Sequence, residues 1–134
     1  MREKLFPLLL AASLLLTACG GNVNHVKKSI GESEIYTRQE IESAMNVAIS
    51  YFAKEFDGCT LNNIVYNEEF RPGAAEEWAQ QYDSDQAILL ISSFEVGASG
   101  GDGSLNPNST YNNWQWILVR DSGGSWELKT WGYG

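Results

Sequence analysis

The spacing of apolar residues along this chain changes several times, and each change marks a different kind of element. Leu5 to Leu16 is a continuous apolar run, broken only by Pro7 and Ser13. Residues 20–33, GGNVNHVKKSIGES, hold few apolar side chains and follow neither a helical nor a strand period, which reads as a flexible tether. Beyond it, Ile41, Met45, Ala48, Phe52 and Phe56 recur at helical spacing, flanked by Ala44 and Ile49. Thr37 with Glu40 three residues later forms a capping box at the start of this helix, and Gly58 supplies a stop. Residues 59–67 end in the β-branched and aromatic cluster Ile64-Val65-Tyr66 and read as a strand. Pro72 precedes a short helix over about 73–83, with Ala75, Trp78, Ala79 and Tyr82 on one face.

Three strands close the chain, at 86–96, 113–121 and 125–133, the last two joined by the turn Asp121-Ser122-Gly123-Gly124. In the middle one, Trp114, Trp116 and Leu118 face one way and Ile117 and Val119 the other, so both sides of the sheet are expected to be covered. The order is helix, strand, helix, then three strands. This predicts an α+β domain with an N-terminal helix packed on a mainly antiparallel sheet.

The opening segment changes what the rest is for. As a helix its run of twelve residues reaches about 18 Å, short of the ~30 Å hydrocarbon core of a bilayer. Arg2 and Lys4 precede it, so it reads as an export leader rather than a permanent span. Leu16-Thr17-Ala18-Cys19 resembles the bacterial lipobox. That resemblance implies a diacylglyceryl group on the Cys19 sulphur and cleavage before it, which divides the chain into a leader (1–18), a lipidated cysteine with its tether (19–34) and one domain (35–134). Two acyl chains at ~0.8 kcal/mol per buried methylene hold a protein stably where one is marginal. The expected address is the outer face of the cytoplasmic membrane in a Gram-positive host, with the domain roughly 20 Å from the surface if residues 20–33 behave as a random coil.

A lipidated Cys19 leaves Cys59 unpaired, and the acidic neighbour Asp57 does not activate it, so Cys59 reads as a core residue. Removing residues 1–18 takes away Arg2, Lys4 and Glu3, which leaves seven Lys plus Arg against sixteen Asp plus Glu, a net charge of −9. Such a chain is a poor match for nucleic acid. Lys27 and Lys28, close to the anchor, each add about 1 kcal/mol of attraction to an acidic leaflet.

Candidate chemistry is sparse. The single histidine, His25, falls in the tether, so a Ser-His-Asp machine or a histidine zinc site is not expected. The acidic pairs Glu68-Glu69 and Glu76-Glu77 and the Asp83-x-Asp85 pattern read as solvated surface. Glu95 ends an apolar strand, where a carboxylate could be desolvated. The connection 97–113 is rich in Gly, Asn and Ser and reads as a wide hairpin loop, or alternatively as the lip of a binding site. Its one carboxylate, Asp102, lacks the acidic spacing of a calcium loop, and no cofactor or metal is expected. Trp114, Trp116 and Trp126 could wall a pocket for a small hydrophobic or ring-bearing ligand, against the plainer alternative of core packing.

The stretches FDGCTLNNIVYNEE, SGGDGSLNPNSTYNNWQWILVR and WELKTWGYG resemble a family of small lipoproteins of clostridial-type bacteria that has no assigned activity. The closing hairpin is also similar to the end of nuclear transport factor 2-like domains, of the cystatin-like α+β kind. That similarity implies a curved sheet wrapped round the N-terminal helix as a cone. The acid–base His-Asp pair of enzymatic members is missing. The expectation is therefore a membrane-anchored, non-catalytic binding or interaction domain, with an unknown protein or small molecule as partner and homodimerisation compatible with it. The alternative is a small cone-pocket hydrolase or isomerase using carboxylate and tyrosine groups.

Overall fold

A computed structural model describes residues 20–133. Its longest helix, α1 (Arg38–Glu55), begins at the capping box read from the sequence: the Thr37 hydroxyl accepts from the Glu40 N–H at 3.1 Å, and the Glu40 carboxylate accepts from the Thr37 N–H at 2.8 Å. Ile41, Ala44, Met45, Ala48 and Phe52 are buried along one stripe, and the polar face is left to solvent.

That stripe lies on one face of a five-stranded mixed sheet, ordered β1 (Lys27–Ile30), β2 (Cys59–Tyr66), β3 (Gln86–Val96), β4 (Thr110–Arg120) and β5 (Glu127–Gly132) in space as in sequence. β1 runs parallel to β2, and every other pairing is antiparallel. The second helix, α2 (Ala74–Gln81), covers part of the opposite face. There Ala74 and Phe70 meet Leu89 and Ile117, and Trp78, Ala79 and Tyr82 meet Ala87 and Val119. The fold is thus α+β, with the two faces of β4 divided as its alternation predicts. Ala74, rather than Ala75, is the buried residue that opens α2.

A register shift in the β2–β3 pairing corrects a strict two-residue period in β2. Cys59 and Leu61 face α1, and so do Ile64 and Tyr66, three residues further on. The extra residue sits where the β2–β3 register slips between Leu61 and Asn63. Similar shifts occur at Ser92/Phe94 and at Ile117/Leu118. Each such bulge bends its strand and increases the local twist.

The segment read as a tether is part of the domain. Lys27–Ile30 pair with Asn63–Tyr66 as an edge strand. Before it, Gly21 N–H donates to Ala53 C=O at 3.0 Å, Asn22 N–H to Cys59 C=O at 2.8 Å, and Leu61 N–H to Asn22 C=O at 2.9 Å. The last carbonyls of a helix have no partner within it, and Gly21 supplies one. A β-carbon on Gly20 would collide with the Ala53 carbonyl, and one on Gly21 with the Phe52 carbonyl and ring. Lys28 is also engaged, by Glu42 at 3.2 Å and Asn46 at 2.9 Å on α1. The 20 Å coil expected between Cys19 and the domain is replaced by a docked chain that starts at Gly20. Cys19 and residues 1–18, where the leader is expected, lie outside the described residues.

Two contacts lock this arrangement. Glu68 accepts from the Glu34 N–H at 2.9 Å, from the Tyr66 hydroxyl at 2.8 Å and from the Ser33 hydroxyl, which ties residues 33–34 to the end of β2. Across Tyr36, at the end of β4, Arg120 bridges Glu40 at 2.5 Å and Gln86 at 2.8 Å, with its guanidinium 4.3 Å from the Trp126 ring centroid. Arg120 thus ties β4 to the first turn of α1.

Gly21→Ala is expected to destabilise the chain by about 1–3 kcal/mol in urea unfolding, the usual cost of forcing an extra carbon into a packed site. A change below ~0.5 kcal/mol, the range of neutral surface substitutions, would mean that the segment is not docked. The backbone N–H of Glu34, then the Ser33 and Tyr66 hydroxyls, hold the Glu68 carboxyl below the ordinary carboxylate range. A carboxyl lowered on folding stabilises above its unfolded pKa, and that contribution is lost as pH falls through its folded value. Amide protection factors in residues 27–35, which allow for the slower intrinsic exchange in acid, should therefore fall on acidification before those in β3, and Glu68→Gln should remove the difference.

Candidate functional site

Where α1 stops, the chain has to turn into β2, and the turn opens a wedge. Glu55 is the last helical residue, Phe56 leaves the helical region, and Gly58 takes a left-handed φ of 73° to reverse direction into Cys59. The long connection after β3 folds against this turn. Gly97 N–H donates to Gly58 C=O at 3.0 Å, and Asn108 N–H closes back on Gly97 C=O at 3.0 Å. Gly100, Gly101 and Gly103 all have positive φ, and a side chain on Gly100 would strike the Leu105 carbonyl. β4 begins at Thr110, three residues earlier than expected, so the loop proper is 97–109. It is a compact, internally bonded lip that sends Leu105 into the core edge.

Between this lip, the last turn of α1 and the ends of β4 and β5 lies a cavity of about 220 Å³. Tyr51 of α1, Phe56 just after it, Trp114 of β4 and Trp131 of β5 give it aromatic walls. Tyr51 and Trp131 are in close contact, with centroids 4.6 Å apart, and Trp114 meets Phe56 edge to face at 6.2 Å. Trp131 is 39% exposed, so one wall opens to solvent. The Trp114 indole N–H is buried with no hydrogen-bond partner. Glu55, Asp57 and Asp102 add three carboxylates, and none of the described residues that line it is Lys, Arg or His.

The titrating groups register that negative field. Burial, then Asp102, then Asp57, pushes the Cys59 thiol up. Burial, then Glu55, pushes the Tyr51 phenol up. Neither group is activated as a nucleophile, because the reactive form of each is the anion that its surroundings disfavour. Asp102 is held below the ordinary carboxylate range by the Ser104 hydroxyl at 2.5 Å and the Ser104 N–H at 3.0 Å. Chemically, the arrangement is suited to holding a small ligand by apolar faces and negative charge.

Of the residues expected to line a pocket, Trp114 does so. Trp116 has no exposed surface, and its indole N–H donates to the buried Ser92 hydroxyl at 2.7 Å. Trp126 is buried at the opposite end of α1, where its N–H donates to the Glu40 carbonyl at 3.0 Å. Glu95 is exposed on β3 between Thr60 and Thr110, away from the cavity. The three tryptophans and Glu95 therefore do not form one wall. Tyr51, Glu55, Asp57 and Trp131 were not expected there. Tyr51 falls off the main helical stripe, and Trp131 reaches the cavity only because the β4–β5 register slips at Ile117/Leu118.

Cys59 is expected to alkylate far more slowly in the folded chain than in urea, with a pH profile displaced above that of an ordinary thiol. Asp102→Asn should shift that profile to lower pH, as followed by mass spectrometry of iodoacetamide adducts. A folded-state profile at or below the ordinary thiol range would contradict the acidic field assigned to the cavity. No protein-family model, no curated protein and no solved structure matches the chain, so its own geometry carries the functional reading.

Proposed function

We propose that this chain is a membrane-anchored, extracytoplasmic, non-catalytic binding domain whose ligand site is the aromatic cavity at the C-terminal end of α1. The cavity is the observation that carries the reading. It is open, it is walled by four aromatic rings, and its thiol and phenol are held in their neutral, unreactive forms. Its volume is below the ~300–1,000 Å³ of pockets for drug-sized molecules, which favours a small ligand or a single side chain or headgroup. The antiparallel meander β2–β5 bent round one long helix supports the kinship to nuclear transport factor 2-like or cystatin-like cones.

Anchoring and cavity belong together in space. Gly20 follows Cys19 directly, and the Gly20 carbonyl accepts from Gly58 N–H, in the turn that carries Asp57 and Cys59. One residue spans at most about 3.6 Å. A lipid on Cys19 leaves almost no slack, so the domain sits on the bilayer with its cavity end nearest the surface rather than at the end of a tether.

Cys19→Ser in a Gram-positive host is expected to release the protein from membranes or leave its leader uncut. Fractionation with mass spectrometry of the N-terminus reads both outcomes. Processed Cys19→Ser protein retained on membranes like the parent would contradict the anchor.

A further inference from the structure

We propose that the ligand of this cavity is a small organic cation: a quaternary or primary ammonium group carried on a short aliphatic stem. This rests on the reading of the cavity as a binding site and specifies its chemistry.

Two properties of the site converge on that class. Aromatic faces attract a cation placed within about 6 Å of the ring centroid, most strongly on Trp and more strongly when water is excluded. Tyr51 and Trp131 pack together 4.6 Å apart and Trp114 lines the same cavity, so three electron-rich rings border the space a cation would enter. The second property is charge. Glu55 and Asp57, where α1 gives way to its turn, and Asp102 in the lip line the cavity, with no Lys, Arg or His among the described residues that line it. An anion would be repelled there, and a neutral apolar ligand would leave the carboxylates unused.

The same geometry discriminates between kinds of cation. No group of three or more His, Cys, Asp or Glu close enough to share a metal ion occurs among the described residues. The carboxylates are too dispersed to chelate a compact divalent ion, which requires six or more oxygens at 2.0–2.6 Å, as a rough guide. A diffuse charge on carbon and nitrogen needs no such convergence. Aromatic walls, which serve a metal poorly, suit a methylated ammonium.

The test is titration calorimetry on the chain purified from its native membrane in a non-ionic detergent. Its probes are choline, n-butylammonium and 3,3-dimethyl-1-butanol, which matches choline in shape without the charge. The expected result is saturable binding of at least one of the two cations, at least about tenfold tighter than the neutral alcohol, weakened by added salt. Trp131→Ala and the charge-removing pair Glu55→Gln with Asp57→Asn should each reduce cation affinity by about tenfold or more, a difference of ~1.4 kcal/mol. Circular dichroism confirms that the variants fold. If the alcohol binds as tightly as choline and Trp131→Ala abolishes both, the cavity is a binding site but its ligand is not a cation. If none of the three probes binds at millimolar concentration, both the ligand class and the cavity's role as a small-ligand site fall. Repeating the choline titration with phosphatidylcholine vesicles separates a free cation from a lipid headgroup: capture of vesicles through Trp131 assigns the headgroup, and binding of choline alone assigns the free ligand.

Discussion

Everything in this domain depends on one helix finding a sheet to lie on. α1 runs for eighteen residues, about 27 Å, and its stripe from Ile41 to Phe52 has no other place to be buried. The sheet meets it with Leu61 and Ile64, with Leu90 and Phe94, and with Trp116 and Leu118, from three successive strands. Where the packing is tightest it is aromatic: Phe52 stacks on Phe56 at 4.7 Å, and both meet Phe94 and Trp116. Large rings give a short chain buried area that disulfides would otherwise have to replace. Cys59, the one cysteine among the described residues, is unbonded and buried.

The consequences appear at the two ends of that helix. At its start, Arg120 connects the helix cap to β4 and stacks on Trp126, so helix and sheet are joined by charge and by apolar contact together. At its finish, the helix must hand its unpaired carbonyls to something, and the incoming chain at Gly21 takes one of them. The same N-terminal segment then pairs along β2 as β1, which covers an edge that would otherwise present unpaired backbone groups. What remains beside the helix end is the wedge closed by the 97–109 lip, and that wedge is the cavity. The site is a by-product of how the helix terminates, and the loop glycines give it shape.

Legibility in the sequence followed the strength of local patterning. The capping box and stripe of α1, the continuous apolar run of β3 and the Asp121–Gly124 turn are each specified by near neighbours, and all three stand where the sequence puts them. The segment 20–33, read as a tether, is instead docked, because its order comes from partners elsewhere in the chain. Asn22 needs Cys59 and Leu61, and Lys27–Ile30 need β2. A glycine pair reads as flexible in isolation, yet here it permits close approach to a helix end. The cavity was harder still. Trp131 and Tyr51 meet across β5 and α1, and a one-residue bulge decides which way β5 faces. No local period encodes that. Trp116 and Trp126, conspicuous in composition, are used for packing.

An acidic, ring-lined recess beside the point where the chain departs toward Cys19 unites the anchoring and binding readings. The most direct test of its location is a two-dimensional nitrogen–proton NMR titration of the protein with tetramethylammonium, read at the five tryptophan indole groups and the loop amides. The account predicts shifts concentrated at Trp114, Trp131 and the amides of residues 101–105, with Trp78 and Trp126 unmoved. Shifts centred on Trp126 or Trp78, or a spectrum indifferent to the ion, would contradict it.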